Sequence, residues 1–325
     1  MGRKTREAIS VILARQYRSV GITDVDTPAD LEALIALRPD LVFLAMKFIP
    51  SELSLGVNDP AKLWISEQLD VAGIAYTGSN APAVKLEASK QLAKQRVLDA
   101  GLASPHYTII HRHLPQTVQS LPTSFPVFVK PSNRGGGVGI GPDSFVQDTS
   151  ELTAKINALA SELQADALVE TYLPGREFSV SILQHLDADT ASVMPVELVT
   201  EPDERGARVL GQKIKSSNVE QALEVTDPLL RRVVCALAYD VFEALGARDY
   251  GRIDIRLDSH GVPHFLEANL YPSLTSGYGS FPKAYAFDSD QSYEQMIISI
   301  AQLGLARSSD DAEEFPALYG ELVTA

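Results

Sequence analysis

The 325 residues, 45% hydrophobic and 22% charged, have the composition of a folded soluble chain, and they are too many for one ordinary core, so two or three packed lobes are expected. No apolar run approaches the roughly 18–20 residues that span a bilayer. The opening Met1-Gly2-Arg3-Lys4 leads into no apolar signal core, so a cytoplasmic location is expected. A net charge of −14 disfavours nucleic acid and membrane partners while leaving room for a locally positive cleft.

Residues 8–20 read as a helix. Leu41-Val42-Phe43-Leu44-Ala45-Met46 is a short apolar run after Arg38-Pro39-Asp40, as in a buried strand. A helix over 60–72 and a strand over 73–78 complete an αβαβ order, which predicts a small α/β lobe. A helix over 83–100 ends at Gly101. From 105 to 185, strands alternate with one helix at 149–164, and the polar, glycine-containing stretch 200–220 reads as a mobile loop. A long helix over 228–246 carries the only cysteine, Cys235, in an apolar stretch that reads as a core thiol and excludes an internal disulfide. Strands at 251–257 and 263–269 flank the turn Asp258-Ser259-His260-Gly261. A last helix near 291–303 precedes an acidic tail containing Asp310, Asp311, Glu313 and Glu314, which reads as a solvated end.

The final pair of strands concentrates charge. In Gly251-Arg252-Ile253-Asp254-Ile255-Arg256-Leu257 the isoleucines and leucine face one side and Arg252, Asp254 and Arg256 the other. Glu267 and Asn269 share a face on the next strand, which sets Glu267 directly across from Asp254 or one diagonal step away. Like charges so placed repel and need compensation. A divalent cation held by the oxygens of Asp254, Glu267 and Asn269 would supply it, as would a ladder of ion pairs among Arg252, Asp254, Arg256 and Glu267.

Two further segments are ambiguous taken singly. Phe125 to Lys130 is a strand that runs into Ser132-Asn133-Arg134-Gly135-Gly136-Gly137-Val138-Gly139, where clustered glycines let backbone N–H groups approach phosphate oxygens. No Gly-Lys-Ser/Thr follows, so it is not a P-loop, and a hairpin tip fits as well as a phosphate cover. Leu168 to Val180 is a strand, a turn and a second strand, which fits a surface hairpin or a connector offering backbone groups to an adenine edge.

In order, these stretches resemble the ATP-grasp fold, and within it the D-alanine–D-alanine ligase group, over roughly residues 40–303. The matching segments are Tyr76-Thr77-Gly78-Ser79, Lys90, Gly101-Leu102, Phe125 to Gly139, Val169 to Glu177 and Gly251 to Ser276. The resemblance implies an α/β (α+β) chain with an N-terminal lobe (1–82), two α+β lobes (83–177 and 178–305) that clasp ATP, and the acidic tail (306–325). It implies that Lys90 and Lys130 contact the α/β-phosphates, that the loop with Gly136 and Gly137 closes over them, and that Lys213 reaches the γ-phosphate. It further implies that Glu170, Thr171 and Leu173 line the adenine pocket, that Glu177 holds ribose, and that Arg252 stabilises an oxyanion. Asp254, Glu267 and Asn269 would ligate two Mg²⁺ ions, replaceable by Mn²⁺, and Ser273, Ser276 and Tyr278 would lie near the second substrate. The implied partners are a small carboxylate and an amino acid; homodimers are common in the group.

The chain departs from that group where amino-acid substrates bind. It starts in the helix that follows the group's first strand and glycine-rich turn, so the glutamate of that turn has at best a stand-in at Glu7. Lys47-Phe48-Ile49-Pro50 replaces a histidine–glycine loop, and Gly136, Gly137 and Ile214 stand where serines and a tyrosine are expected. Pro272-Ser273 replaces Pro-Gly, and Gly277 to Ser280 carries an insertion. A site that loses its polar partners loses the substrate that needed them. The expectation is therefore an amide-forming ligase with a different carboxylate donor, in a specialised biosynthetic pathway. The alternatives are a cell-wall D-alanine–D-alanine or D-alanine–D-lactate ligase, and a nucleotide-binding relative without catalysis.

Overall fold

The computed structural model describes residues 1–113, 124–187, 190–211, 221–309 and 321–324. Helix α1 (Arg3–Leu13) begins and ends earlier than the sequence pattern suggested, because burial of Ile9, Ile12 and Leu13 defines its inner stripe and the chain then extends into β1 (Ser19–Ile22). Helix α2 (Pro28–Ala36) was not anticipated, although its start is written in the sequence. The Thr27 hydroxyl accepts the Asp30 N–H, the Asp30 carboxylate accepts the Thr27 N–H, and Pro28 occupies the first turn.

Strands β2 (Leu41–Phe43) and β5 (Ala75–Tyr76) fall where the apolar runs put them, with α3 (Ile65–Ala72) between them ending on left-handed Gly73. Ahead of α3, β3 (Phe48–Ile49) and β4 (Leu63–Trp64) form a small antiparallel ribbon. The N-terminal sheet is parallel, in the order β1-β15-β2-β5, and β15 is Glu321–Thr324. The tail was expected to be a solvated end; instead its strand lies between β1 and β2, which do not pair with each other and whose facing N–H and C=O groups require a partner. Its residues 310–320 lie outside the described residues.

The helix expected over 83–100 is two: α4 (Ala81–Glu87) and α5 (Lys90–Asp99). The Ser89 hydroxyl accepts the Leu92 N–H and restarts the helix, which puts Lys90 in a first turn. The central sheet joins β6 (Tyr107–Ile110), β7 (Val127–Pro131), β8 (Phe145–Val146) and β9 (Ala167–Thr171) in the order β6-β9-β7-β8. Helix α6 (Thr149–Leu163) covers one face through Leu152, Ile156 and Leu159.

The C-terminal sheet is antiparallel, in the order β12-β11-β10-β13-β14. Its strands are β10 (Glu177–Gln184), β11 (Ala191–Val199), β12 (Gln221–Glu224), β13 (Tyr250–Leu257) and β14 (Pro263–Asn269). On one face, Phe178, Val180, Ile253, Ile255 and Phe265 pack against Val234, Val241 and Phe242 of α7 (Pro228–Ala244) and Val97 of α5. Each such side chain contributes about 1.5–3 kcal/mol by leaving water. On the other, Met194 and Val196 join Phe281 and Tyr285 of α8 (Ser280–Asp288), Met296 and Ile300 of α9 (Tyr293–Ser309), and Ile9 and Leu13 of α1. The same core reaches Leu41 and Phe43, so the last helix joins the C-terminal sheet to the N-terminal one.

Candidate active site

The β13–β14 register puts Asp254 directly opposite Glu267 and Arg252 opposite Asn269. A bulge follows, since Ile255 pairs with Phe265. The intervening Leu266 lines the cavity described below. Asp254 is 4% exposed. Its Oδ1 accepts the Ser179 hydroxyl at 2.9 Å and its Oδ2 the Arg252 guanidinium at 3.0 Å. The Lys90 ammonium stands 3.4 Å from Glu267 Oε2. Of the alternative ion-pair ladder, the Arg252–Asp254 rung is present, whereas Arg256 turns to Glu177 at 3.2 Å and to the Tyr172 hydroxyl at 3.2 Å.

Among the described residues, no group of three or more His, Cys, Asp or Glu side chains could hold a metal ion unaided. The hairpin instead offers two carboxylates and the Asn269 carboxamide, whose Oδ1 is buried without a hydrogen-bond partner. One or two carboxylates with nucleotide phosphates completing the shell is the donor set that suits Mg²⁺. The residues therefore fit the ion.

Beneath the hairpin lies a buried charge cluster that sequence reasoning only half anticipated. Glu170 on β9 pairs with Lys130 on β7 at 2.6 Å and with Lys94 on α5 at 2.9 Å, all three nearly inaccessible. Burial pushes the Glu170 carboxyl up, but the two ammonium groups outweigh it and hold it below the usual glutamate range. Burial lowers Lys94 to about 8, against the pull of Glu170. Lys94 passed unnoticed because a lysine inside a helical stretch has no special sequence signal; its Nζ also donates to Phe265 O at 3.3 Å.

Two cavities meet at the hairpin. The first, about 570 Å³ including solvent at its mouth, runs between the central and C-terminal sheets. Its apolar walls are Phe128, Ile140, Leu173, Leu210 and Leu266, and Lys130, Glu170, Thr171 and Glu177 also line it. The second, about 2120 Å³ on the same measure, opens toward the N-terminal lobe and is lined by Lys90, Gly136, Arg252, Asn269 and Ser273, among others. Asp254 and Glu267 line both. The glycine turn stands at the edge of the second, with Gly136, Gly137 and Gly139 at φ +64, +77 and +74, the left-handed region that glycine enters freely. The Lys90 ammonium donates to the Arg134 carbonyl of that turn.

Of the residues expected near the second substrate, Ser273 and Tyr278 line the larger cavity, while Ser276 is exposed outside it. Ser280 was missed. It is the first residue of α8, is buried, and bonds Ser179 at 2.9 Å beside Asp254. A lone serine after an apparent insertion gave no sequence signal. Glu7 pairs with Arg3 on the exposed side of α1, away from both cavities. Lys213 and Ile214 lie outside the described residues. Cys235 is half-buried, burial raises its thiol to about 11, and it donates to the Val193 carbonyl. No helix among the described residues is long and apolar enough to cross a membrane.

Solved structures give the class: the fold is that of the ATP-grasp ligases. The D-alanine–D-alanine ligase of Bacillus anthracis complexed with ATP superposes with a TM-score of 0.61 over 76% of each chain, at 20% identity. Sequence narrows it further. The family described as D-ala D-ala ligase C-terminus matches residues 97–302. The D-alanine–D-alanine ligase of Geotalea uraniireducens is 30% identical over 264 residues, 81% of this chain and 78% of that one. That of Hydrogenovibrio crunogenus is 28% identical over 269 residues, 82% and 80% of the two chains. The chain belongs to the D-alanine–D-alanine ligase family and is an ATP-dependent, ADP-forming ligase.

Proposed function

We propose that this ligase joins a carboxylate other than D-alanine to the amine of an amino acid, in a specialised biosynthetic pathway. The observation that carries the reading is the meeting of the two cavities at Asp254 and Glu267, one suited to a nucleotide base and the other large enough for two small substrates.

The nucleotide base lies in the first cavity along Thr171 to Leu173, with Glu177 at the ribose. Lys90 and Lys130 neutralise the α/β-phosphates and the turn with Gly136 and Gly137 covers them. Lys213 serves the γ-phosphate. Asp254, Glu267 and Asn269 would hold two Mg²⁺ ions, which offset phosphate charge when bound. Ser179 fixes the Asp254 carboxylate by its hydrogen bond. A substrate carboxylate oxygen attacks the γ-phosphorus and ADP departs, leaving an acyl phosphate. The neutral amine then attacks the acyl carbon, its nitrogen gives up a proton to solvent or to the departing phosphate, and phosphate leaves with the bonding electron pair. Arg252, aimed at this junction from β13, stabilises the oxyanion between the two events. The Ser280 hydroxyl and the start of α8 face the same space and suit the amino acid's carboxylate.

The absence of serines at Gly136 and Gly137 supports a donor other than D-alanine, because the hydrogen bonds that would order its ammonium are lost. The names of the relatives favour the second reading, a D-alanine–D-alanine ligase of cell-wall synthesis. Release of ADP with Mg²⁺ across a matrix of carboxylates and amino acids separates the two. Turnover is expected with a donor other than D-alanine; efficient D-alanyl-D-alanine formation would replace our reading with the second. Dimerisation and a cytoplasmic location remain part of the proposal.

A further inference from the structure

In a chain of net charge −14, the larger cavity is lined by six lysine and arginine side chains against three carboxylates. Four of the six have acidic partners. Lys90 stands by Glu267, Arg252 by Asp254, Lys47 by Glu87 and Lys85 by Glu67. Lys62 and Arg134 do not form ion pairs among the described residues. Lys62 Nζ donates to the Val57 carbonyl at 2.8 Å, and Arg134 donates to Asn58 Oδ1 at 2.9 Å, to Asn133 Oδ1 at 2.9 Å and to the Leu163 carbonyl. Both cations are thus tied to neighbouring residues of one turn, Gly56–Asn58, and satisfied by neutral oxygens alone. Asp59 attracts Lys62, but its own oxygens accept the N–H groups of Glu52 and Ala61.

Burial lowers the Lys62 pKa, Asp59 offsets part of that and the neighbouring Arg134 lowers it further, while burial and Arg112 lower that of Arg134, so an added anion would favour both cations. Two aromatic rings complete the wall. Phe48 and Trp64 meet edge to face at 5.4 Å, and the Lys62 ammonium lies 4.5 Å from the Phe48 centroid and 5.7 Å from that of Trp64.

We infer that the acid this enzyme activates carries a second anionic group, a carboxylate or a phosphate, which is held between Lys62 and Arg134 against the Phe48–Trp64 wall. This rests on the ligase reading above and gives its donor a chemical class. The reacting carboxylate lies at the Arg252–Asp254 end of the cavity and the second anion at the β3–β4 ribbon, so a monoanionic acid leaves Lys62 and Arg134 without an ion-pair partner from the substrate.

Trp64 is the chain's only tryptophan, so emission excited selectively at tryptophan, beyond the absorption of the eleven tyrosines, reports on this wall. The full-length chain is titrated with succinate and with inorganic phosphate, against acetate and chloride at constant ionic strength. A saturable change is expected with a dianion but not with acetate or chloride, and it is lost in Lys62→Gln and kept in Lys62→Arg. Saturation by succinate alone indicates a dicarboxylic donor, and by phosphate alone a phosphorylated one. The same response in Lys62→Gln, or none with either dianion, would overturn the inference. In the ADP-release matrix, Lys62→Gln should raise the KM for the best acid about tenfold and leave that for ATP unchanged. Turnover that favours monoanionic acids and ignores Lys62→Gln would refute the second anion while leaving the ligase intact. If no acid releases ADP, the ligase reading fails, and the fluorescence titration still decides the anion site.

Discussion

Glu170 balances two buried ammonium groups, Lys94 and Lys130, so losing its charge leaves both uncompensated. Glu170→Gln should cost about 3–5 kcal/mol, read as a lower urea midpoint. The sign of its pH dependence follows from the direction of its shift. The folded carboxyl is held below the unfolded value, so its stabilisation is present above the ordinary glutamate pKa of about 4.3 and is lost as the pH falls through the folded pKa. Urea midpoints measured from pH 6 down to pH 3 should fall, and fall less steeply in Lys94→Met. Glu267 differs, being partly exposed at the junction of the cavities with Lys90 as its ion-pair partner. Glu267→Ala should abolish ADP release, by more than about 10²-fold on the scale of a lost transition-state stabiliser, with an unchanged far-ultraviolet circular dichroism spectrum. Retained turnover would remove it from the site.

At the scale of elements, the glycine turn owes its course to backbone conformation more than to side-chain contacts. A Cβ on Gly139 would lie 2.7 Å from Leu163 Cδ1 and 2.8 Å from Pro131 Cγ, at φ +74. Gly139→Ala should therefore shift the turn and, with the phosphate-covering role proposed for it, raise the KM for ATP. Gly136→Ala, with nothing within 4 Å, meets only the left-handed cost of about 1–2 kcal/mol and should raise that KM less. Nucleotide titrations of the two variants compare them directly. The charged hairpin was legible in the sequence because strand alternation fixes which residues share a face. The break between α4 and α5 was not, since the helical pattern continues through it and only the Ser89 cap marks the restart.

Across the molecule, Arg307 on α9 reaches Asp249 at 2.9 Å and the Tyr76 carbonyl, so one guanidinium ties the last helix to β5 and to the residue preceding β13. Asp249 is buried, holds φ +64, and also accepts the Gly78 N–H at 2.6 Å. Arg307→Ala leaves that carboxylate without its cation and should destabilise the chain by about 3 kcal/mol, measured as a lower thermal midpoint. A partner 58 residues away in sequence could not be inferred from either segment alone.

The sequence by itself determined the β13–β14 hairpin, the glycine turn, and the order of motifs that places the chain among ATP-grasp ligases. These depend on local periodicity and on spacing along the chain. Only the tertiary structure decided that Glu170 meets two lysines, that Ser280 and not Ser276 borders the larger cavity, that a strand from the tail enters the N-terminal sheet, and that Lys62 and Arg134 share one wall. Each of those facts brings distant segments together, and pairing at such range is set by how whole layers pack.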